Sequence, residues 1–267
     1  MLRRQIRIGR IFVDVLGRAE AMDAIGKLVD SGTGGYVFTP NVDHVVTAER
    51  LDELALAYQG ARLSFADGMP ILWASRLLGQ PLPEKLSGSD LLDPIAGLAA
   101  DSGWPIYLLG GRPGSAEAAA EKLCERYPSL RVAGIDAPMM SLAPGHAGTR
   151  KALERMMSAR PKILFVGLSG PKQELLLHRC SDYLGSTLAF GLGAAIDFTA
   201  GVVPRAPAWM SQVGLEWLYR LLREPRRLWR RYLVRDPRFI GVVWRTLREP
   251  KEQRLISRPL LPAARVV

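Results

Sequence analysis

Short apolar runs without polar alternation, each followed by a segment of helical period, constrain this chain more than any other feature it carries. Ile163-Leu164-Phe165-Val166 is one such run. A strand with one wet face alternates apolar and polar residues. An uninterrupted run therefore points to burial on both faces, as in a parallel sheet covered by helices. Strand-like segments fall at Ile11–Val15, Tyr36–Thr39, Arg62–Phe65, Pro105–Leu109, Leu130–Gly134, Lys162–Gly167 and Thr187–Gly191. Helix-period segments lie between them, at Ala19–Val29, Val45–Tyr58, Pro70–Leu78, Ser89–Ala100, Ser115–Tyr127, Thr149–Ala159 and Pro171–Tyr183. The alternation predicts an α/β fold with a mostly parallel sheet flanked by helices.

The 267 residues suffice for one large domain or a domain with an appendage, and 48% apolar content fills a sizeable core. The two cysteines, Cys124 and Cys180, cannot build a disulfide framework, so a reducing compartment is expected. There is no apolar stretch long enough to cross a bilayer, and no export signal is read at the arginine-rich N-terminus. The net charge of +10 is concentrated at one end. Residues 1–202 hold 21 basic and 21 acidic residues, whereas 203–267 hold 15 basic against 5 acidic ones, with four of the six tryptophans. The expected division is a neutral α/β body, 1–202, and a basic, aromatic, helical appendage, 203–267. Helices are expected there from about Ala208 to Arg223, from Pro225 to about Val234, and from Asp236-Pro237 through Leu247.

In an open parallel sheet, ligands bind beyond the carboxyl ends of the strands, where loops lead into helices. Four such loops carry polar or glycine-rich residues: Thr39-Pro40-Asn41-Val42-Asp43-His44, Ala66-Asp67-Gly68-Met69-Pro70, Gly110-Gly111-Arg112-Pro113-Gly114-Ser115 and Ser169-Gly170-Pro171-Lys172-Gln173-Glu174. Their shared position predicts one composite pocket. The glycines at 110, 111 and 114 suit either a diphosphate or sugar-nucleotide loop, or a tight turn with Ser115 as helix N-cap. Asp67 is either a general base in a partly apolar cleft or a turn aspartate ahead of Pro70. His44 reads as a positioned polar group. No metal-ligand spacing occurs among the cysteines and histidines, and Gly167-Leu168-Ser169-Gly170-Pro171 only approximates a nucleophile elbow.

The tail interleaves arginine with Trp, Tyr and Leu: Leu215-Glu216-Trp217-Leu218-Tyr219-Arg220-Leu221-Leu222-Arg223, then Arg226-Arg227-Leu228-Trp229-Arg230-Arg231-Tyr232. Such a surface suits an anionic membrane, a nucleic acid, or a helical face packed on the body with its arginines in water. Tryptophan and leucine favour the membrane over nucleic acid. An oxidoreductase using the Gly110–Ser115 loop is a further alternative, but it lacks the dinucleotide spacing.

One ordered set of residues carries a resemblance. Thr39-Pro40-Asn41, Ala66-Asp67-Gly68, Leu109-Gly110-Gly111, Pro171-Lys172-Gln173-Glu174, Gly193-Ala194-Ala195-Ile196-Asp197-Phe198 and Arg205-Ala206-Pro207, followed by Gly214–Leu221 and Glu224-Pro225-Arg226-Arg227, resemble the WecG/TagA/CpsF glycosyltransferases over about residues 10–235. The resemblance implies a Rossmann-like body. It also implies inverting transfer, without metal or other cofactor, of a sugar from a nucleotide donor, commonly UDP-linked. The implied acceptor is a polyprenyl-diphosphate-linked saccharide at the cytoplasmic membrane face, in surface-polysaccharide synthesis. Carried over by position, Asp67 is the implied catalytic base, and Thr39, Asn41 and Gln173 orient substrate. Gly110 and Gly111 approach the donor, and Arg220, Arg227 and Arg230 meet the diphosphate. Lys85 stands where the family often has arginine, which replaces a bidentate phosphate clamp with a point charge. Partners implied are the nucleotide sugar, the lipid-linked acceptor, an anionic membrane surface and further copies of the chain, but no nucleic acid. The segment after Arg235 has no usable counterpart in this resemblance.

Overall fold

The computed structural model describes residues 2–138, 140–143 and 146–260. Strands among them are β1 (Leu2–Ile8), β2 (Ile11–Asp14), β3 (Gly35–Phe38), β4 (Leu63–Ser64), β5 (Ile106–Gly110), β6 (Val132–Asp136), β7 (Ile163–Gly167), β8 (Leu188–Gly191) and β9 (Leu255–Pro259). The chain forms two compact units, each assembled from separate stretches. Met1–Ala21, Thr39–Ser87 and Arg205–Val267 make the first; Met22–Phe38 and Gly88–Pro204 make the second.

The second unit holds the parallel sheet. Its strands run in the order β3-β8-β7-β5-β6, parallel at every pairing. Strands β5 and β8 are buried along their whole length and β7 up to Gly167, as unalternated apolar runs predict, while edge strand β6 stays half-exposed. Helices Gly88–Ser102, Ser115–Arg126, Ala147–Ala159, Lys172–Arg179 and Ala195–Ala200 cover it. Strands β5 and β7 end on facing glycines: Gly111 N donates to Gly167 O at 2.8 Å, and a Cβ on Gly110 would meet that same oxygen at 2.8 Å. Only glycine permits this approach. The mostly parallel α/β sheet matches the sequence expectation.

The first unit is built around an antiparallel sheet, β2-β1-β9. Here the structure departs from the sequence reading in four ways, one being that the helix expected from about Ala208 to Arg223 is two, Ala208–Gln212 and Glu216–Arg223. The strand expected at Ile11–Val15 exists, but it pairs with β1 in this small sheet. The C-terminal segment, expected to be helical, ends its described part in β9, which pairs with β1 from Leu2↔Pro259 to Ile6↔Leu255. The single helix expected over Val45–Tyr58 is two helices, Val42–Ala48 and Asp52–Gly60. The stretch Arg205–Val267 groups with Met1–Ala21 and Thr39–Ser87. Met1 and residues 261–267 lie outside the described residues, as do Met139, Pro144 and Gly145.

Buried polar pairing braces this unit. Arg3 Nη1 donates to both carboxylate oxygens of Asp14, at 2.8 and 2.7 Å, and Ser64 N donates to Asp14 Oδ2 at 2.7 Å. Helix Arg238–Arg248 turns Phe239, Val242, Val243 and Thr246 inward. It is pinned by Gly9 N to Thr246 Oγ1 at 2.9 Å and by Arg245 Nη2 to Glu49 Oε2 at 2.6 Å. Leaving Arg3 or Asp14 unpartnered would cost several kcal/mol, whereas the C-terminal helix is held on the N-terminal hairpin by its buried apolar residues and the buried Gly9–Thr246 bond.

Candidate functional site

Two backbone bonds bring two of the expected loops, both in the first unit, together with the segment of Lys85. Asp67 N donates to Pro40 O at 2.9 Å, and Leu86 N donates to Ala66 O at 2.9 Å. The Thr39–Asn41 loop, Asp67 and Lys85 therefore lie on adjoining segments. Gly68, with φ 106°, turns the chain sharply into helix Met69–Leu77, whose first turn holds Pro70. Asp67 itself is half-buried, and Thr39 is buried.

Arg220, from helix Glu216–Arg223, joins this group through its charge. Burial disfavours its guanidinium, but the negative charges of Glu216 and Asp67 and the hydrogen bond to Glu216 outweigh that and hold its pKa above the ordinary arginine value. Arg220 Nη2 donates to Glu216 Oε1 at 2.5 Å, and Ser211 Oγ donates to Glu216 Oε2 at 3.0 Å. Burial pushes the Glu216 carboxyl up, yet the positive charges of Arg220 and Lys85 hold it below the usual range. Asp67, Lys85, Glu216 and Arg220 thus form one electrostatically coupled set of two carboxylates and two cations.

Asn41 is the N-cap of helix Val42–Ala48. Its Oδ1 accepts from His44 N at 3.3 Å and from Arg231 Nη2 at 3.2 Å. His44 closes the capping box, its Nδ1 lying 3.5 Å from Asn41 N and 3.0 Å from Tyr58 Oη. That agrees with its reading as a positioned polar group. Asp43, buried in the same first turn, pairs with Arg235 Nε at 2.7 Å and Arg231 Nε at 3.4 Å. Sequence reasoning missed Arg231, Arg235 and Glu216 as parts of this surface. The four-residue spacing of Arg231 and Arg235, opposite an acidic first turn, was the available signal.

Arg227 and Arg230 are exposed. Arg227 pairs with Glu224 at 2.6 Å, and Arg230 lies over the Trp229 ring, 5.3 Å from its centroid. Of the three expected tail arginines, Arg220 is the one whose charge couples to Asp67.

The remaining expected residues belong to the second unit. Gly110, Gly111 and Gly114 all have positive φ, at 96°, 87° and 77°. The N-cap of helix Ser115–Arg126 is Gly114, not Ser115, and it makes no side-chain cap bond. Ser115 lies one position too far into the helix to cap it, and its hydroxyl is fully buried with no hydrogen-bond partner. Amides of the loop are already used: Gly111 N on Gly167 O, Arg112 N on Asp197 Oδ1 at 2.8 Å and Ser115 N on Arg112 O at 2.9 Å. Gln173 is buried on the first turn of helix Lys172–Arg179; its Oε1 accepts from Gly193 N at 2.9 Å, and its Nε2 donates to Glu174 Oε1 at 2.8 Å. This fixes the amide at the carboxyl ends of β7 and β8.

Comparison with known proteins bears on this arrangement. A model of the glycosyl transferase WecG/TagA/CpsF family matches residues 6–253. Two relatives are both named N-acetylglucosaminyldiphosphoundecaprenol N-acetyl-beta-D-mannosaminyltransferase. The one from Bacillus subtilis (strain 168) is 27% identical over 206 residues, 77% of each chain. The one from Bacillus spizizenii (strain W23) is 26% identical over 215 residues, 80% of each chain.

Proposed function

Since the chain belongs to the WecG/TagA/CpsF family and is a glycosyltransferase, we propose that it moves a sugar with inversion from a nucleotide donor, a UDP-sugar, to a saccharide carried on polyprenyl diphosphate. The relatives' names supply the acceptor class: both act on a sugar joined by diphosphate to undecaprenol. Asp67 takes the proton of the acceptor hydroxyl as that oxygen attacks the anomeric carbon of the donor. The bond from this carbon to the diphosphate breaks, and its electron pair leaves with the diphosphate. Attack from the face opposite the leaving group inverts the centre. Arg220 and Lys85 stabilise diphosphate charge without a metal. Thr39, Asn41 and Gln173 orient substrate, and the Gly110-Gly111 turn stands beside the donor. Residues 1–202 serve as the catalytic body. Residues 203–267, with Arg227 and Arg230 exposed, hold the protein peripherally on the cytoplasmic face of the membrane.

The observation that carries this reading is the coupling of Asp67 to Arg220, a base and a polyanion-binding cation on adjoining segments of one unit. Asp67→Asn should lower kcat about 10²–10⁴-fold while donor affinity, measured by calorimetry, stays near wild type. Wild-type turnover should survive a chelator. Normal turnover by the variant removes Asp67 from the chemistry, and loss of activity with the chelator removes the metal-free mechanism.

A further inference from the structure

Helix Met69–Leu77 starts two residues after Asp67 and buries Ile71, Leu72, Ala74 and Ser75. Its outer stripe carries Trp73 and Leu77, one turn apart and 46% and 68% exposed. The tail lies directly on the root of this stripe. Gly214 has φ +79°, and a Cβ placed there would come within 3.0 Å of Trp73 Cη2 and 3.1 Å of Met69 Cβ. Just before Gly214, Val213 N donates to Trp209 O at 3.1 Å, which sets Trp209 and Val213 one turn apart. They are 59% and 54% exposed, and Trp217, three residues beyond Gly214, is exposed as well. One exposed apolar residue carries no message, but five large ones gathered where two segments of one unit touch describe a binding surface.

The order of chemistry across this unit selects the occupant. Asp67 lies two residues before helix Met69–Leu77, and the Trp73–Leu77 stripe stands one to two turns farther along that helix. A lipid-linked acceptor carries the matching pair, a sugar hydroxyl for the base and hydrocarbon for the stripe. Resting on the acceptor class proposed above, we infer that the ridge of Trp73, Leu77, Trp209, Val213 and Trp217 binds the first isoprenoid units of the acceptor. The lipid chain then contributes to specificity and does more than tether the substrate to a bilayer.

Transfer is measured with two acceptors that share saccharide and diphosphate, one with a polyprenyl chain in detergent micelles, the other with a short water-soluble alkyl chain. Wild-type protein should favour the polyprenyl acceptor by about tenfold or more in kcat/KM. Leu77→Ser combined with Val213→Ser should bring that ratio close to one through KM. Leu56→Ser, on the exposed side of helix Asp52–Gly60, should keep the wild-type ratio. A wild-type ratio near one overturns the inference and leaves the acceptor class standing. So does an unchanged ratio in the double variant, including the case in which that variant loses self-association or vesicle binding instead. An equal loss on both acceptors marks a structural role and also overturns it. Failure of the wild type on both acceptors removes the proposed function, and the inference with it.

Discussion

Asp236 sits among Arg231, Arg235 and Asp43, with Arg231 Nε 3.8 Å from its carboxylate. Burial raises its pKa to about 6; Arg231 and Arg235 pull it down and Asp43 pushes it up. The folded protein therefore holds this proton more tightly than the unfolded chain, whose aspartate titrates near 3.9. The resulting stabilisation is complete below pH about 4 and is lost as pH rises through about 6. Asparagine mimics the protonated form, so the stability of wild type minus that of Asp236→Asn should fall across this window. After discounting for the solvent-reaching part of the group, the fall is about 1–2 kcal/mol, a few degrees in Tm. Thermal melts of both proteins at several pH values check it; a difference that grows with pH reverses the assigned direction. Single residues were legible to different degrees. For Asp67 the residues alone left two readings open, a general base or a turn aspartate ahead of Pro70, and the family resemblance chose the first. Asp43 was read as lying beside a site, but its pairing with Arg231 and Arg235 was hidden because those partners lie nearly 190 positions away. Ser115 shows the opposite error: the residue type fits an N-cap, but the turn ends one position earlier, at Gly114.

Among the elements, β5, β7 and β8 were legible because burial on both faces leaves an apolar run with no polar interruption. Strand β1 was not. Its inward positions include Arg3 and Gln5, both buried, and Arg3 is tolerated there only because Asp14 on β2 neutralises it. No local pattern announces a buried arginine whose partner is on another strand. Strand β9 was hidden in another way, for Leu255-Ile256-Ser257-Arg258-Pro259 is too short to show a period. The break between helices Val42–Ala48 and Asp52–Gly60 carries neither glycine nor proline, so nothing marks it in the sequence. Strand β9 has a testable consequence. It flanks β1 on the side opposite β2, so truncation after Arg254 turns β1 into an edge strand. Hydrogen exchange should then accelerate at β1 amides that face β9, while β5 and β7 of the second unit keep their protection. Unchanged exchange in β1 shows that β9 contributes nothing to holding the hairpin.

At the scale of the whole molecule, the distribution of charge and apolar surface is the feature that single elements do not reveal. All of the +10 net charge lies in residues 203–267, over a body that sums to zero. The same stretch leaves Trp209, Leu222, Trp229, Leu233, Ile240 and Trp244 exposed, with Arg230 over Trp229 and Arg248 over Trp244 at 5.3 and 5.1 Å from the ring centroids. Among the described residues no helix is long and apolar enough to cross a membrane. Helix Arg238–Arg248 buries Phe239, Val242 and Val243 yet still presents Ile240 and Trp244 one turn apart to solvent. A helix stabilised by its buried face alone has no need of that second stripe, whereas an interfacial surface does. Arginine near an anionic leaflet contributes about 1 kcal/mol each. Replacing Arg226, Arg227 and Arg230 together by alanine should therefore weaken partition onto phosphatidylglycerol vesicles by about 10²-fold. Adding salt should weaken wild-type binding without abolishing it, because screening spares the tryptophans. Sedimentation with vesicles, run beside duplex DNA at equal salt, separates the two polyanions: vesicle binding that outlasts DNA binding as salt rises supports the membrane, and the reverse order assigns the arginines to nucleic acid.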